Sequence, residues 1–194
     1  MKVIVEANPQ WISEMPAGMI EDDEFKAIFI FFVLNTPCSE LSSRARTIRS
    51  HGWTAPWRKP FYLNRQLKQQ TSNYNILFSA SKYDELDDAL QKCHLSQFPP
   101  ENIADERISF YDNKNNQFMS VFYHLRNSLA HGRFNTMQSG NDWVFILEDV
   151  APYKNQQKKV SARMIIRKST LLSWIELITN GEKEYVKEGT ITET

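Results

Sequence analysis

The chain carries no excess of charge. Its 23 lysines and arginines balance 23 aspartates and glutamates, so global charge selects no partner, and copies of the chain do not repel one another. Cysteine is scarce. Cys38 and Cys93 are the only two, and neither sits at metal-ligand spacing, which points to a reducing, cytoplasmic setting rather than a disulfide framework. Long apolar runs are missing too. Ala27–Leu34 is far too short to span a bilayer, so no membrane partner is expected. The start MKVIVEANP is broken by Glu6 and does not read as a signal peptide. There is no repeat and no low-complexity tract. One further absence is local: from Leu41 to Tyr83 there is no acidic residue.

What is present suits one domain with a real core: 194 residues, 41% hydrophobic and 12% aromatic. Residues 1–20, with Pro9, Pro16 and Gly18, read as an N-terminal arm and loop. Glu21–Glu24 is a run of four acids ahead of FKAIFIFFVL. Acids favour a helix N-terminus, so the segment is expected to be a helix ending before Pro37, although so short an apolar run also fits a buried strand. Its phenylalanines are expected in the core. Ser39–Ser50, Phe61–Gln70 and Ser81–Leu95 read as further helices. Phe98 to Asn116 reads as a long, largely irregular connection with one helical turn at Ala104–Phe110.

Arg44, Arg46, Arg49, Arg58 and Lys59, with Arg65, Lys68 and Lys82 after them, fall in the acid-free span, interleaved with Trp53, Trp57, Phe61, Tyr62 and Tyr74. Basic groups neutralise phosphates and aromatic faces stack on unpaired bases, so the first five cations are candidate substrate-binding groups for a nucleic acid. The plainer reading makes the cations a solvated face and the tryptophans core plugs. The acids Asp84, Glu85, Asp87 and Asp88 fit the start of a helix better than a metal site, and His94 suits a helix cap better than a ligand. No metal and no cofactor is expected.

The most informative stretch is FYHLRNSLAHGRF, Phe122–Phe134. A helix is expected from Asn115 or Asn116 to His131, with Phe118, Val121, Phe122, Leu125 and Leu129 as its buried stripe. Gly132 supplies the left-handed stop. At about 100° per residue, Ser120, His124, Asn127 and His131 fall opposite that stripe, on one polar face. Arg126 and His131 lie about 140° apart around the axis. Either the long arginine swings round the flank, or the two residues meet across a subunit contact. After this helix come a turn at Met137–Asn141, a strand around Trp143–Leu147, a polar loop at Pro152–Lys159 and a partner strand at Val160–Ile166. Ser169 or Thr170 then caps a last helix with Leu171, Trp174, Ile175 and Ile178 on one face. Residues from Asn180 on read as a frayed polar tail.

Arginine plus histidine, without an acid cluster, is a set suited to cutting RNA without a metal. A histidine moves a proton at a ribose 2′-OH or at the leaving oxygen, and an arginine fork holds the phosphate and the extra negative charge of the transition state. One helix offers few such groups. A twofold contact would supply each of them twice.

The segment LRNSLAHG, Leu125–Gly132, resembles the Arg-x(4–6)-His motif of the HEPN superfamily, including the polar residue after the arginine. The following hairpin and KSTLLSWIELI, Lys168–Ile178, resemble plasmid-borne and phage-defence-like HEPN nucleases. The similarity runs from about Phe118 to Gly181. The resemblance implies a mainly α fold: a HEPN-like helical bundle across residues 1–194, with a β-hairpin at 137–167 inserted before the C-terminal helix and a polar tail at 181–194. It also implies a homodimer with facing motifs and metal-independent endoribonuclease activity leaving 2′,3′-cyclic phosphate ends. Members act in toxin–antitoxin or phage-defence systems, so an antitoxin or regulatory protein is an implied partner. Carried over, Arg126 and His131 are the catalytic pair and Asn127 orients them or binds phosphate. His124, on the same face, is a supporting residue. Two alternatives stand beside this: a non-catalytic HEPN module that binds RNA, a nucleotide or a partner protein, and a purely structural Arg126 and His131.

Overall fold

The computed structural model describes residues 21–38, 46–53, 60–71, 77–97, 100, 102–112, 114, 116–152 and 158–187; the side chains of 60, 61, 158 and 181–187 are not described. The expected N-terminal arm and residues 39–45 of the expected second helix lie outside them, as do the hairpin loop at 153–157 and the last residues of the tail.

The acid run does start a helix. Asp22 caps α1 (Asp23–Phe29), its carboxylate accepting from the backbone N–H groups of Glu24 and Phe25 at 2.8 and 3.1 Å. The apolar run continues it as a π-helical turn, Ile30–Leu34. Phe25, Ile28, Phe31 and Phe32 are buried, as expected of core residues. A short 3-10 turn, Ile48–His51, ends on left-handed Gly52. Then follow α2 (Pro60–Gln69), β1 (Leu77–Ala80), α3 (Tyr83–Lys92), β2 (Arg107–Tyr111) and α4 (Gln117–Ala130). The chain closes with β3 (Phe134–Ser139), β4 (Asp142–Pro152), β5 (Lys158–Arg167) and α5 (Lys168–Lys187).

The expectation of a mainly helical bundle is overturned. The five strands form one mixed sheet in the order β1-β2-β5-β4-β3, parallel between β1 and β2 and antiparallel elsewhere. The expected hairpin exists as β4 and β5, but it is the centre of this sheet rather than an insertion. Residues of β2 fall in the expected helical turn, yet Ile108 and Phe110 face one side of the sheet and Arg107, Ser109 and Tyr111 the other. That alternation is a strand period of two. Together β1, α3 and β2 make a parallel strand pair joined through a helix: α3 falls inside the helix expected at Ser81–Leu95, whereas β2 stands within the expected irregular connection from Phe98 to Asn116. Met137, expected in a turn, is inside β3; the turn is confined to Gly140–Asn141. The expected frayed tail is helical to Lys187.

One face of the sheet carries the larger core. Phe145, Leu147, Ala162, Met164 and Ile166 meet α1, α4 and α5 there. Trp174 of α5 packs edge-on against Phe118 and Phe122 of α4 at 5.4 and 5.9 Å, and its ring N–H donates to the Leu67 carbonyl at 2.9 Å. The buried indole thus has its polar atom satisfied. On the other face, α3 covers Val144, Val160 and Ile165 with Leu86 and Leu90. The strands β4 and β5 are therefore buried on both sides, and any charge in them needs a partner.

Candidate functional site at the end of α4

Helix α4 begins as its sequence requires. Asn116 caps it by accepting from the Met119 N–H at 3.2 Å. It ends at His131, after which Gly132 takes φ 66° and the Arg133 N–H returns to the Ser128 carbonyl at 2.8 Å. The apolar stripe from Phe118 to Leu129 is buried.

The supposed polar face is not a solvent face. Ser120 and His124 are as buried as the apolar stripe, at 0% and 1% exposure, because α4 lies across the sheet and packs polar groups there as well. The Ser120 hydroxyl donates to Asp112 at 2.6 Å. His124 is held at both ring nitrogens: Nδ1 lies 2.7 Å from Oδ2 of Asp149 and Nε2 lies 2.8 Å from the Tyr111 carbonyl. A ring closed to solvent and clamped at both ends is structural. Its support for the site passes through Asp149.

Asp149 is the hub of this cluster. Its Oδ2 also accepts from the Ser161 hydroxyl at 2.9 Å and from Nδ2 of Asn127 at 3.5 Å. Ser161 reaches it through a break in strand register, where Asp149 pairs with Ala162 and Val150 with Val160, leaving Ser161 unpaired on β5. Oδ1 of Asn127 accepts from Nη1 of Arg126 at 3.1 Å. Nε of Arg126 is buried without a hydrogen-bond partner among the described residues. The His131 side chain is exposed. Among the described residues, Arg126 has no carboxylate partner and the His131 ring no hydrogen bond.

The neighbouring arginines differ. Glu148, fully buried, pairs with both Arg133 and Arg163. Arg163 also donates to the carbonyls of Leu95 and Ser96 at 2.9 and 2.6 Å. Burial pushes the Arg163 guanidinium below its ordinary value, and Glu148 opposes that shift. The sequence reading missed Glu148, Asp149, Ser161 and Arg163. Glu148, Asp149 and Arg163 sit among apolar strand residues, which marks them as buried charges but does not say that Asp149 and Ser161 reach α4.

The basic segment is only partly described, since Arg44, Arg58 and Lys59 lie outside the described residues. Arg46 and Arg49 are exposed. The Arg46 N–H bonds to the Thr36 carbonyl, and nearby Cys38 donates to the Met119 carbonyl in the first turn of α4. This places their segment toward the start of α4, about 18 Å along the axis from His131. Trp53 is a core plug, fully buried with its ring N–H on the Ile178 carbonyl at 2.8 Å. His94 takes a left-handed backbone, φ 55°, just past α3, the position a capping glycine usually fills. Among the described residues no three His, Cys, Asp or Glu side chains gather as metal ligands, and no helix is long and apolar enough to cross a membrane.

No family model matches the chain, and no curated protein or solved structure shows significant similarity to it.

Proposed function

We propose that the chain is a metal-independent endoribonuclease with Arg126 and His131 as its catalytic pair. The reading is supported above all by how charge is spent around α4. Arg133 and Arg163 share the buried carboxylate of Glu148, whereas Arg126, among the described residues, meets only the neutral amide of Asn127, and His131 at the end of the helix is exposed. A guanidinium without a carboxylate partner and an exposed imidazole, five residues apart at the end of one helix, suit a phosphodiester that both can reach. The local resemblance of Leu125–Gly132 to the HEPN motif points the same way; the helical bundle that it implied does not enter the argument.

In the proposed reaction, one His131 takes the proton of a ribose 2′-OH. The oxygen attacks the adjacent phosphorus, the P–O5′ bond breaks, and a 2′,3′-cyclic phosphate remains. The departing O5′ receives a proton from the His131 of a second copy, protonated at the start. Arg126 binds the non-bridging oxygens and stabilises the charge that builds on them. A twofold homodimer supplies the two histidines. Such an activity inside a cell calls for a cytoplasmic toxin or phage-defence role, held in check by an antitoxin or regulatory protein.

The test is incubation of the purified chain with single-stranded RNA in EDTA, followed by analysis of the new ends. Fragments with 2′,3′-cyclic phosphate and 5′-hydroxyl ends are expected. RNA bound but uncut would replace the reading with a non-catalytic RNA-binding module.

A further inference from the structure

The contacts around Asn127 carry more than a description of packing. Its amide has a donor end and an acceptor end, and each meets its complement: Nδ2 faces the Asp149 carboxylate at 3.5 Å and Oδ1 faces Nη1 of Arg126 at 3.1 Å. Turned over, the amide would set oxygen against carboxylate and NH2 against guanidinium. Its two neighbours therefore fix its orientation. Asp149 is itself held in place. It is 4% exposed and anchored on the buried His124 ring at 2.7 Å. A rigid anion in the sheet thus sets an amide on α4, and the amide sets the guanidinium.

We propose that Asp149 is a positioning residue, which orients the Arg126 guanidinium through Asn127 while leaving its positive charge uncancelled. This rests on the endoribonuclease reading of the same site. A carboxylate placed directly on an arginine orients it but also offsets its charge, as Glu148, shared between Arg133 and Arg163, does in part for each. A neutral amide between the two passes on direction and not charge. The guanidinium then waits with one Nη fixed and a net positive charge for phosphate, so less ordering is left to the transition state. The role also accounts for an asparagine, rather than an acid, immediately after the arginine.

The full-length chain is tested with a 5′-labelled single-stranded RNA oligonucleotide. The variants are Asp149→Asn, Asn127→Ala, the double variant and Ser161→Ala, each checked for folding by thermal melt. Ser161→Ala removes a second bond to the same carboxylate, which His124 still anchors, and lies off the route to Arg126, so it controls for structural loss. Asp149→Asn and Asn127→Ala are each expected to lower kcat about tenfold with KM within about twofold. The double variant is expected to be no slower than the slower single one, because both cut one route. Ser161→Ala is expected to lower stability and leave kcat unchanged. A second readout needs no turnover: the arginine side-chain N–H signals in NMR, with Arg126 assigned by their loss in Arg126→Lys. They are expected to sharpen or shift alike in Asp149→Asn and Asn127→Ala, and to stay put in Ser161→Ala. If Asp149→Asn folds but leaves both kcat and the Arg126 signals as in the wild type, or Ser161→Ala moves them equally, the proposal is overturned. A wild-type chain that cuts no RNA while its Arg126 signals still answer to Asp149→Asn keeps the positioning and removes the endoribonuclease. Should Asp149→Asn not fold, the half-buried Asn127→Ala decides alone, its unchanged Arg126 signals being the contrary result.

Discussion

Two adjacent acids on β4, Glu148 and Asp149, point to opposite faces of the sheet and do different work. Glu148 sits on the α3 face between two guanidiniums with no exposure to solvent. Removing it strands Arg163, itself 2% exposed. Glu148→Ala is therefore expected to destabilise the fold by about 3–5 kcal/mol, read by denaturant unfolding. A loss below about 1 kcal/mol, the range of an exposed pair, would show the pair to be solvated. A second residue-scale expectation concerns His51. Burial, with Arg46 adding to it, lowers its pKa below the ordinary histidine value of 6.5, and the bond to the Asn35 carbonyl opposes this. The folded state then binds fewer protons than the unfolded one as pH falls through that value. His51 thus contributes stability above about pH 6.5 that is lost on acidification below it. Unfolding free energies measured between pH 7.5 and 5 should fall less steeply in His51→Asn than in the wild type; parallel slopes would contradict this.

At the scale of elements, α4 was the part most open to a reading from sequence. Asn116, the Phe118–Leu129 stripe and Gly132 mark its start, face and end, and all three hold. Gly132 has φ +66°, and a Cβ placed there meets nothing within 4 Å. Gly132→Ala is expected to cost about 1 kcal/mol by backbone strain alone, visible as a small drop in melting temperature. A loss of several kcal/mol would mean that the turn packs against something further. The second face of α4 differs from the expected polar face for a physical reason. Helical periodicity separates polar from apolar residues, but it does not say whether the polar side meets water or buried partners. Ser120 and His124 meet Asp112, Tyr111 and Asp149, and the last of these is 25 residues further along the chain from His124. Strands β1 and β2 were missed because four- and five-residue strands offer too few alternations to override the surrounding polar sequence.

At the scale of the molecule, the mixed sheet replaces the helical bundle that the motif had suggested. A short motif fixes one helix and leaves the architecture to long-range strand pairing, here β1 with β2 through α3 and β2 with β5 across more than fifty residues. The candidate pair was legible in the sequence, as Arg126 and His131; the cluster behind it was not, because Asp149 and Ser161 reach α4 only once the sheet is assembled. The proposed reaction asks for two histidines and one chain offers one at this site. The chain is therefore expected to sediment as a dimer at micromolar concentration, with activity falling as the dimer is diluted apart. Full activity in a strictly monomeric sample would remove the two-histidine arrangement. The claim under which all of this stands is that one imidazole and one guanidinium at the end of α4 cut RNA. The most direct measurement is the single-turnover rate of RNA cleavage in EDTA by the wild type, Arg126→Ala and His131→Ala, with folding of each verified by circular dichroism. A rate loss of about a hundredfold or more is expected in both variants; variants that fold and cut at the wild-type rate would contradict the account.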